Sequence, residues 1–372
     1  MSRIRVLVVE DSLTVRNRLR EVLEADPGIE VVGEAEDGRR AIELCLALRP
    51  DVITLDMMLP VMSGLAATEY LMAYCPTPIL VVSSSINRGE LFKTYEALAA
   101  GALEVMEKPR ADEPEGVWER QFISMVKLIA RIKVVTHLRG RRALPSAQAG
   151  DSTMQAGPYA RTGQLPAQLP AQFPAQFPDY ASLAARTTPC RLIAIGTSTG
   201  GPGAIAEVLR ALPAGFRIPI LFVIHISEPF GSTFADWLDG QTEHRVHLAH
   251  DGEEVPKSGV VMAPPNRHLI VRNRKLHLTD GPERHSCRPS VDVLFESVAR
   301  EYGATCAAAI LTGMGQDGAR GLLAVREAGG VTIAQDEASS IVYGMPREAA
   351  LIGAAQLVLP LSEIGPALTR LG

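Results

Sequence analysis

The chain has 372 residues, of which 47% are hydrophobic and 21% charged, and its net charge is -5. This length exceeds one ordinary hydrophobic core, so two domains are expected, and the charge gives no general reason to expect nucleic acid as a partner. No apolar run approaches bilayer-spanning length; Ile218 to Ile226, among the longest, is strand-sized. The first residues enter a strand and meet Glu10 and Asp11 at once, so no secretory signal is expected. Five cysteines without Cys-x-x-Cys spacing predict reduced thiols in a cytoplasmic protein.

Arg3 to Val9 reads as a strand ending in Glu10-Asp11-Ser12, and Ser12 can cap a helix with apolar positions at Val15, Leu19, Val22 and Leu23. Strand Ile29 to Val32, helix Arg39 to Leu48 and strand Val52 to Leu55 follow, the last ending in Asp56. Beyond the loop Met57 to Gly64 come helix Leu65 to Tyr74, strand Ile79 to Val82 ending in Ser83, helix Glu90 to Ala100 and strand Leu103 to Met106. Lys108 closes the series before an amphipathic helix from Trp118 to Leu138. Strict alternation of strand and helix predicts an α/β fold with a doubly wound parallel sheet.

Glu10, Asp11, Asp56, Ser83 and Lys108 all follow the carboxyl end of an apolar strand, the edge at which open α/β sheets hold ligands. Carboxylates crowded there repel one another, which makes magnesium their natural partner. A lysine opposite them would hold a phosphoryl oxygen and Ser83 could donate to another, leaving Asp56 as the candidate phosphoryl acceptor.

Four segments carry a resemblance: Val8-Val-Glu-Asp-Ser12, Asp51-Val-Ile-Thr-Leu-Asp56, Val82-Ser-Ser84 and Glu107-Lys-Pro109. Together they resemble the response-regulator receiver domain, which implies a flavodoxin-like, five-stranded parallel sheet over residues 1–136. The resemblance further implies phosphorylation of Asp56 by a sensor histidine kinase and Mg2+ on Glu10, Asp11, Asp56 and the Met58 carbonyl. Ser83 and Lys108 match the family's hydroxyl and lysine. Val105 stands where receivers often carry an aromatic switch residue, and the loop after Asp56 is less acidic than is usual.

Periodicity then disappears. Residues 137–188 are rich in Pro, Ala and Gln, and from Gln164 to Pro178 a Pro-Ala-Gln-apolar unit repeats. Regular proline excludes helix interior and central strand, so a semi-extended tether between two domains is expected.

Leu192 to Ile195 reads as a buried strand that breaks into Gly196-Thr-Ser-Thr-Gly-Gly-Pro202, with a helix from Ala204 to Leu212. A serine between a strand end and a helix start is backed by free N–H groups and a positive dipole end, a seat for a nucleophile whose reaction builds an oxyanion. Strand Ile218 to Ile224 ends at His225, and helix Gly231 to Gly240 follows. Val246 to Leu248 and Val260 to Ala263 read as short strands; Leu269 to Arg272 and Lys275 to Leu278 form a hairpin. A helix starts at Ser290 or Asp292 and runs through Arg300. Strand Cys306 to Leu311 leads into Thr312-Gly-Met-Gly-Gln-Asp-Gly318, then helix Ala319 to Ala328 and strands Val331 to Ala334 and Gln356 to Leu359. This is a second doubly wound α/β unit.

Ser198, His225 and Asp317 thus each lie at or just beyond a strand's carboxyl end. A serine needs an imidazole to take its proton, and the imidazole needs a carboxylate to hold its tautomer. N–H groups of Thr199–Gly201 and Met314–Gly315 are candidates for the oxyanion site. An α/β-hydrolase elbow would need a histidine after the acid, and none follows Asp317. A dinucleotide loop fails because Ser198 occupies the middle glycine position. His244, His247 and His250 have metal-like spacing, but strand alternation turns His247 away from the other two.

The remaining segments are Ile195-Gly-Thr-Ser-Thr-Gly-Gly-Pro202, Ile224-His-Ile226, Ala263-Pro-Pro-Asn-Arg-His268, Arg288-Pro-Ser-Val-Asp-Val-Leu-Phe295, Ile310-Leu-Thr-Gly-Met-Gly-Gln-Asp-Gly318 and Gly344-Met-Pro-Arg347. They are similar to the chemotaxis protein-glutamate methylesterase family, with a catalytic domain over residues 189–372. The resemblance implies hydrolysis of glutamyl methyl esters on chemoreceptors and deamidation of receptor glutamines. It implies Ser198 as nucleophile, His225 as general base and then acid, Asp317 as orienting acid, and Thr199 and Met314 near the oxyanion. The implied partners are a chemotaxis sensor histidine kinase and methylated chemoreceptor cytoplasmic domains. Neither nucleic acid nor membrane insertion is expected, a monomer is, and ester hydrolysis should need no cofactor. Thr197 and Ile224 depart from the family's usual alanine and glutamine. The rival readings are the same esterase acting on a signalling protein outside chemotaxis, and a non-catalytic response regulator.

Overall fold

The computed structural model describes residues 3–84, 88–109, 116–132, 134, 188–226, 228 and 230–372. The tether expected at 137–188 therefore lies almost wholly outside the described residues. The first unit alternates β1 (Ile4–Val9), α1 (Leu13–Glu24), β2 (Ile29–Ala35), α2 (Gly38–Leu48), β3 (Val52–Leu55), α3 (Gly64–Tyr74), β4 (Ile79–Ser83), α4 (Arg88–Ala99), β5 (Glu104–Glu107) and α5 (Val117–Ile129). Its sheet is parallel, in the order β2-β1-β3-β4-β5. The chain starts near the middle and reverses between β1 and β3, where Val9 pairs with Leu55. Glu10 and Asp56, one residue further on each strand, are thereby brought side by side at the switch point.

Local chemistry sets the helix starts. Ser12, Asp37 and Ser63 cap α1, α2 and α3 by accepting from Val15, Arg40 and Ala66 N–H, contacts worth about 1 kcal/mol each. Helix α5 ends at Ile129 rather than at the expected Leu138, because its buried stripe of Trp118, Phe122, Val126 and Ile129 stops there. The chain then closes with bonds from Arg131 and Ile132 to the Leu128 and Ile129 carbonyls.

The second unit holds β6 (Leu192–Thr197), α6 (Gly201–Arg210), β7 (Ile220–Ile224), α7 (Phe230–Asp239), β8 (Val246–Leu248), β9 (Val260–Met262), the hairpin β10 (His268–Arg272) and β11 (Lys275–Thr279), and α8 (Val291–Tyr302). After it come β12 (Cys306–Ile310), α9 (Ala319–Glu327), β13 (Val331–Gln335), α10 (Met345–Leu351), β14 (Leu357–Leu359) and α11 (Leu361–Thr369). Seven parallel strands are ordered β14-β13-β12-β6-β7-β9-β8. The direction of winding reverses between β6 and β12, a second switch point. Helices α10 and α11 escape a sequence reading because each carries a proline. Pro346 sits in the first turn of α10, where a missing N–H is harmless, and Pro366 lies inside α11 between the buried Ile364 and Ala367.

The two units meet through α4. The Tyr95 hydroxyl donates to the Phe230 carbonyl, and the Tyr95 ring lies 5.3 Å from Phe234 and 5.6 Å from Trp237, centroid to centroid. Gly203 of α6 faces the Ala99 carbonyl, which a Cβ there would approach to 3.2 Å. Arg88 reaches Asp236 at 3.0 Å, an exposed pair that adds little. A cavity of about 490 Å³ remains between α3 and α4 on one side and α6 on the other, lined in part by Leu65, Tyr70, Ala99, Gly203 and Trp237.

Candidate active site

At the first switch point, Lys108 Nζ sits 3.0 Å from Asp56 Oδ2 and 3.1 Å from Glu10 Oε1. Glu10 and Asp56 are buried while Asp11 is exposed, and ligand oxygens of all three lie within 4.8 Å of one another. Burial pushes the Glu10 carboxyl above its usual range, Lys108 pulls it down, and the Asp56 charge pushes it up again. Glu10 Oε2 is 2.9 Å from Lys108 Nζ but lacks hydrogen-bond geometry, so it remains an orphaned buried acceptor. One lysine beside three clustered carboxylates leaves excess negative charge, which suits a hard divalent cation. The residues therefore fit magnesium. Met57 N–H donates to Asp56 Oδ1 at 2.7 Å, Ser83 is buried at the end of β4, and Met58 is exposed two residues beyond Asp56. Val105 is buried in β5.

At the second switch point, Ser198, His225 and Asp317 follow the three adjacent strands β6, β7 and β12. His225 Nε2 lies 2.9 Å from Asp317 Oδ2. Asp317, 2% exposed, also accepts from Ser290 Oγ at 2.7 Å, Val291 N at 2.7 Å and Asp292 N at 3.1 Å. The last two are first-turn N–H groups of α8, so that helix start both bonds and electrostatically favours the carboxylate. Burial works against the charge of Asp317, but the bonds from His225, Ser290 and Val291 hold its carboxyl below the usual range. Burial likewise opposes a charged His225, but Asp317 and the Cys287 sulfur outweigh it and raise the imidazole to about 9. Asp292 is held in turn by Gly321 N–H at 2.6 Å and His285 Nε2 at 3.1 Å.

The serine's seat is built by close approach. Thr197 Oγ1 and Ser198 N both donate to the Thr312 carbonyl, tying the β6 turn to the β12 turn. A Cβ on Gly313 would stand 2.8 Å from Ser198 Cβ and 3.0 Å from Ser198 N, so only glycine fits. Gly200 takes a φ of +77 at the start of α6, a left-handed conformation that glycine adopts without strain. Gly201 N–H donates to the Ser198 carbonyl at 2.7 Å. That turn withdraws Gly201 from the expected set of oxyanion donors. Thr199, Met314 and Gly315 N–H have no partner among the described residues and remain available. The Ser198 hydroxyl has no partner among those residues either.

Sequence reasoning missed three neighbours of this site. Ser290 was legible as a helix cap but not as a donor to Asp317. Cys287, whose Sγ lies 3.6 Å from His225 Nδ1, had no pattern to mark it. Glu104 of β5 is close enough for the His225 charge to act on it; burial pushes its carboxyl up to about 7, and His225 pulls it down. The histidine group departs from strand alternation: the strand stops at Leu248, so His250 turns back beside His247. Both reach Glu253, at 3.6 and 2.8 Å, with ring centroids 6.4 Å apart, and only His244 is buried apart.

Residues 193–368 match the CheB methylesterase family and residues 6–114 the response regulator receiver domain. A protein-glutamate methylesterase/protein-glutamine glutaminase of Anaeromyxobacter dehalogenans is 39% identical over 99% of this chain and 97% of its own. A counterpart from Nitrosospira multiformis is 39% identical over the same shares of each. The chain belongs to the protein-glutamate methylesterase family. It is accordingly a carboxylic ester hydrolase with a receiver domain, and its two parallel-sheet units are those of such a protein. The crystal structure of the Thermotoga maritima CheB methylesterase catalytic domain is 37% identical, covering 49% of this chain and 99% of that one, with a TM-score of 0.47. Among the described residues no helix is long and apolar enough to cross a membrane.

Proposed function

We propose that this methylesterase hydrolyses glutamyl methyl esters of chemoreceptor cytoplasmic domains, and deamidates receptor glutamines, using Ser198, His225 and Asp317. The observation that carries the reading is the 2.9 Å bond between His225 Nε2 and Asp317, formed at the ends of strands flanking the one that delivers Ser198. Asp317 can only accept, so Nε2 carries a hydrogen, and Nδ1 is the nitrogen left to take the serine's proton. Ser198 Oγ attacks the ester carbonyl while His225 Nδ1 receives its proton. The oxyanion faces Thr199 and Met314 N–H. His225 then protonates the methoxy oxygen, methanol leaves, and a glutamyl ester of Ser198 remains. Water, deprotonated by the same nitrogen, attacks that ester and releases the glutamate and Ser198. With glutamine as substrate the leaving group is ammonia. Contacts of this kind commonly tighten only with substrate bound, which accounts for an unpartnered serine hydroxyl in the free enzyme.

Residues 1–136 act as the receiver and 189–372 as the catalytic domain, with a histidine kinase as phosphoryl source for Asp56. Glu10, Asp11, Asp56 and the Met58 carbonyl would hold Mg2+, which when bound offsets negative charge during phosphoryl transfer. Lys108 binds a phosphoryl oxygen and Ser83 orients another. Phosphorylation shifts the equilibrium at the α4 contact toward an open esterase, because Tyr95 of α4 ties the receiver to Phe230 at the start of α7. The test is methanol release from a methylated receptor fragment. Ser198→Ala should abolish it with the fold intact; retained activity would overturn the assignment.

A further inference from the structure

Beside His225, in the loop between β11 and α8, lies a thiol that the ester reaction does not use. Cys287, half-buried ahead of α8, places Sγ 3.6 Å from His225 Nδ1, while the other ring nitrogen is taken by Asp317. The ring is thereby fixed with Nδ1 toward the sulfur. Zinc binds thiolate at about 2.3 Å and imidazole nitrogen at about 2.0–2.1 Å in tetrahedral geometry, which sets the two donor atoms about 3.6 Å apart. The observed separation already matches. A metal-bound imidazole also characteristically donates its second N–H to a carboxylate, which fixes the tautomer and raises ligand basicity. Asp317 supplies that partner, and its carboxylate, the ring nitrogen and the sulfur fall in one cluster within 4.8 Å.

We propose that Cys287 and His225 form a binding site for a soft divalent ion of the zinc class, which silences the esterase by occupying the nitrogen that must accept the serine's proton. The remaining coordination positions are left to water, as in open zinc sites. Magnesium does not compete, because it selects oxygen ligands and dehydrates reluctantly. The chain would then carry two metal sites of opposite chemistry and opposite effect: oxygen ligands in the receiver for the ion that supports activation, sulfur and nitrogen in the esterase for one that blocks it. The thiol pair Cys45 and Cys75, 3.4 Å apart, is sealed in the receiver core and offers no such access.

The silencing rests on His225 being the base, so the test separates binding from catalysis. Full-length protein in excess Mg2+ is titrated with Co2+, and thiolate-to-cobalt charge-transfer absorbance is followed in the near ultraviolet. The wild type should develop the band and lose it on addition of Zn2+, while Cys287→Ser should not develop it. In parallel, methanol release is measured against Zn2+, with each protein normalised to its own zinc-free rate. Cys287→Ser should need about tenfold more Zn2+ for half-inhibition. A wild type without the band, or a band equally strong in Cys287→Ser, overturns the site. Equal zinc inhibition of both proteins overturns the silencing. A Cys287-dependent band in a protein that releases no methanol would uphold the site and sink the esterase assignment instead.

Discussion

The receiver pocket and the esterase site are built at the same place in two parallel sheets, where the chain reverses its winding, but their carboxylates are treated in opposite ways. In the receiver, Glu10 and Asp56 share one lysine with the exposed Asp11 beside them, and Glu10 Oε2 is left without a hydrogen bond. In the esterase, Asp317 accepts four bonds, from Ser290 Oγ, two helix N–H groups and His225. The first site has unbalanced charge and an orphaned acceptor, which supports the proposal that a cation and a phosphoryl group complete it. The second is complete within the protein and keeps its acid ionised and its histidine oriented. What separates the two strand-end carboxylate sites is whether neighbouring donors already satisfy the acid.

Substitutions can break that contrast from either side. The largest expected effect is Ser198→Ala, which should lower methanol release by roughly 10⁴-fold or more while far-ultraviolet circular dichroism stays unchanged. Next is pH. Only neutral His225 can take the serine's proton, and its pKa is raised to about 9. Methylesterase kcat/KM should therefore climb by about tenfold per pH unit from 7 and level off near 9. A plateau already reached at pH 7 would contradict the cause given for the shift. Gly313→Ala forces a methyl group to 2.8 Å from Ser198 Cβ. A displacement of that order should reduce methanol release about 10²-fold, with uptake of phosphate by the receiver intact. Smallest is Ser290→Ala, which removes both a donor to Asp317 and the α8 cap. Stability should fall by about 1 kcal/mol in denaturant melts, and kcat should fall more than KM rises.

Much of this was legible in the sequence, and the failures share a physical origin. Glu10, Asp56, Ser198 and His225 could be placed because a short apolar run followed at once by a polar residue marks a strand's carboxyl end. The order of the strands then brought these residues together. Cys287 and Ser290 could not be placed beside His225 and Asp317, because the segment before α8 crosses back over the sheet edge by contacts far apart in sequence. Gly201 looked like a free donor until the turn closed on the Ser198 carbonyl. Helices α10 and α11 were hidden by Pro346 and Pro366, and α5 was overextended because apolar residues continue after its buried stripe has ended.

The contrast between the two sites is tested most directly by removing the cation. Methanol release from methylated receptor should be followed with and without acetyl phosphate, in Mg2+ and in EDTA, for wild type and Asp56→Asn. Basal release should survive EDTA in both proteins, whereas stimulation by acetyl phosphate should require Mg2+ and occur only in the wild type. Loss of basal release in EDTA, or stimulation that persists in Asp56→Asn, would contradict the account.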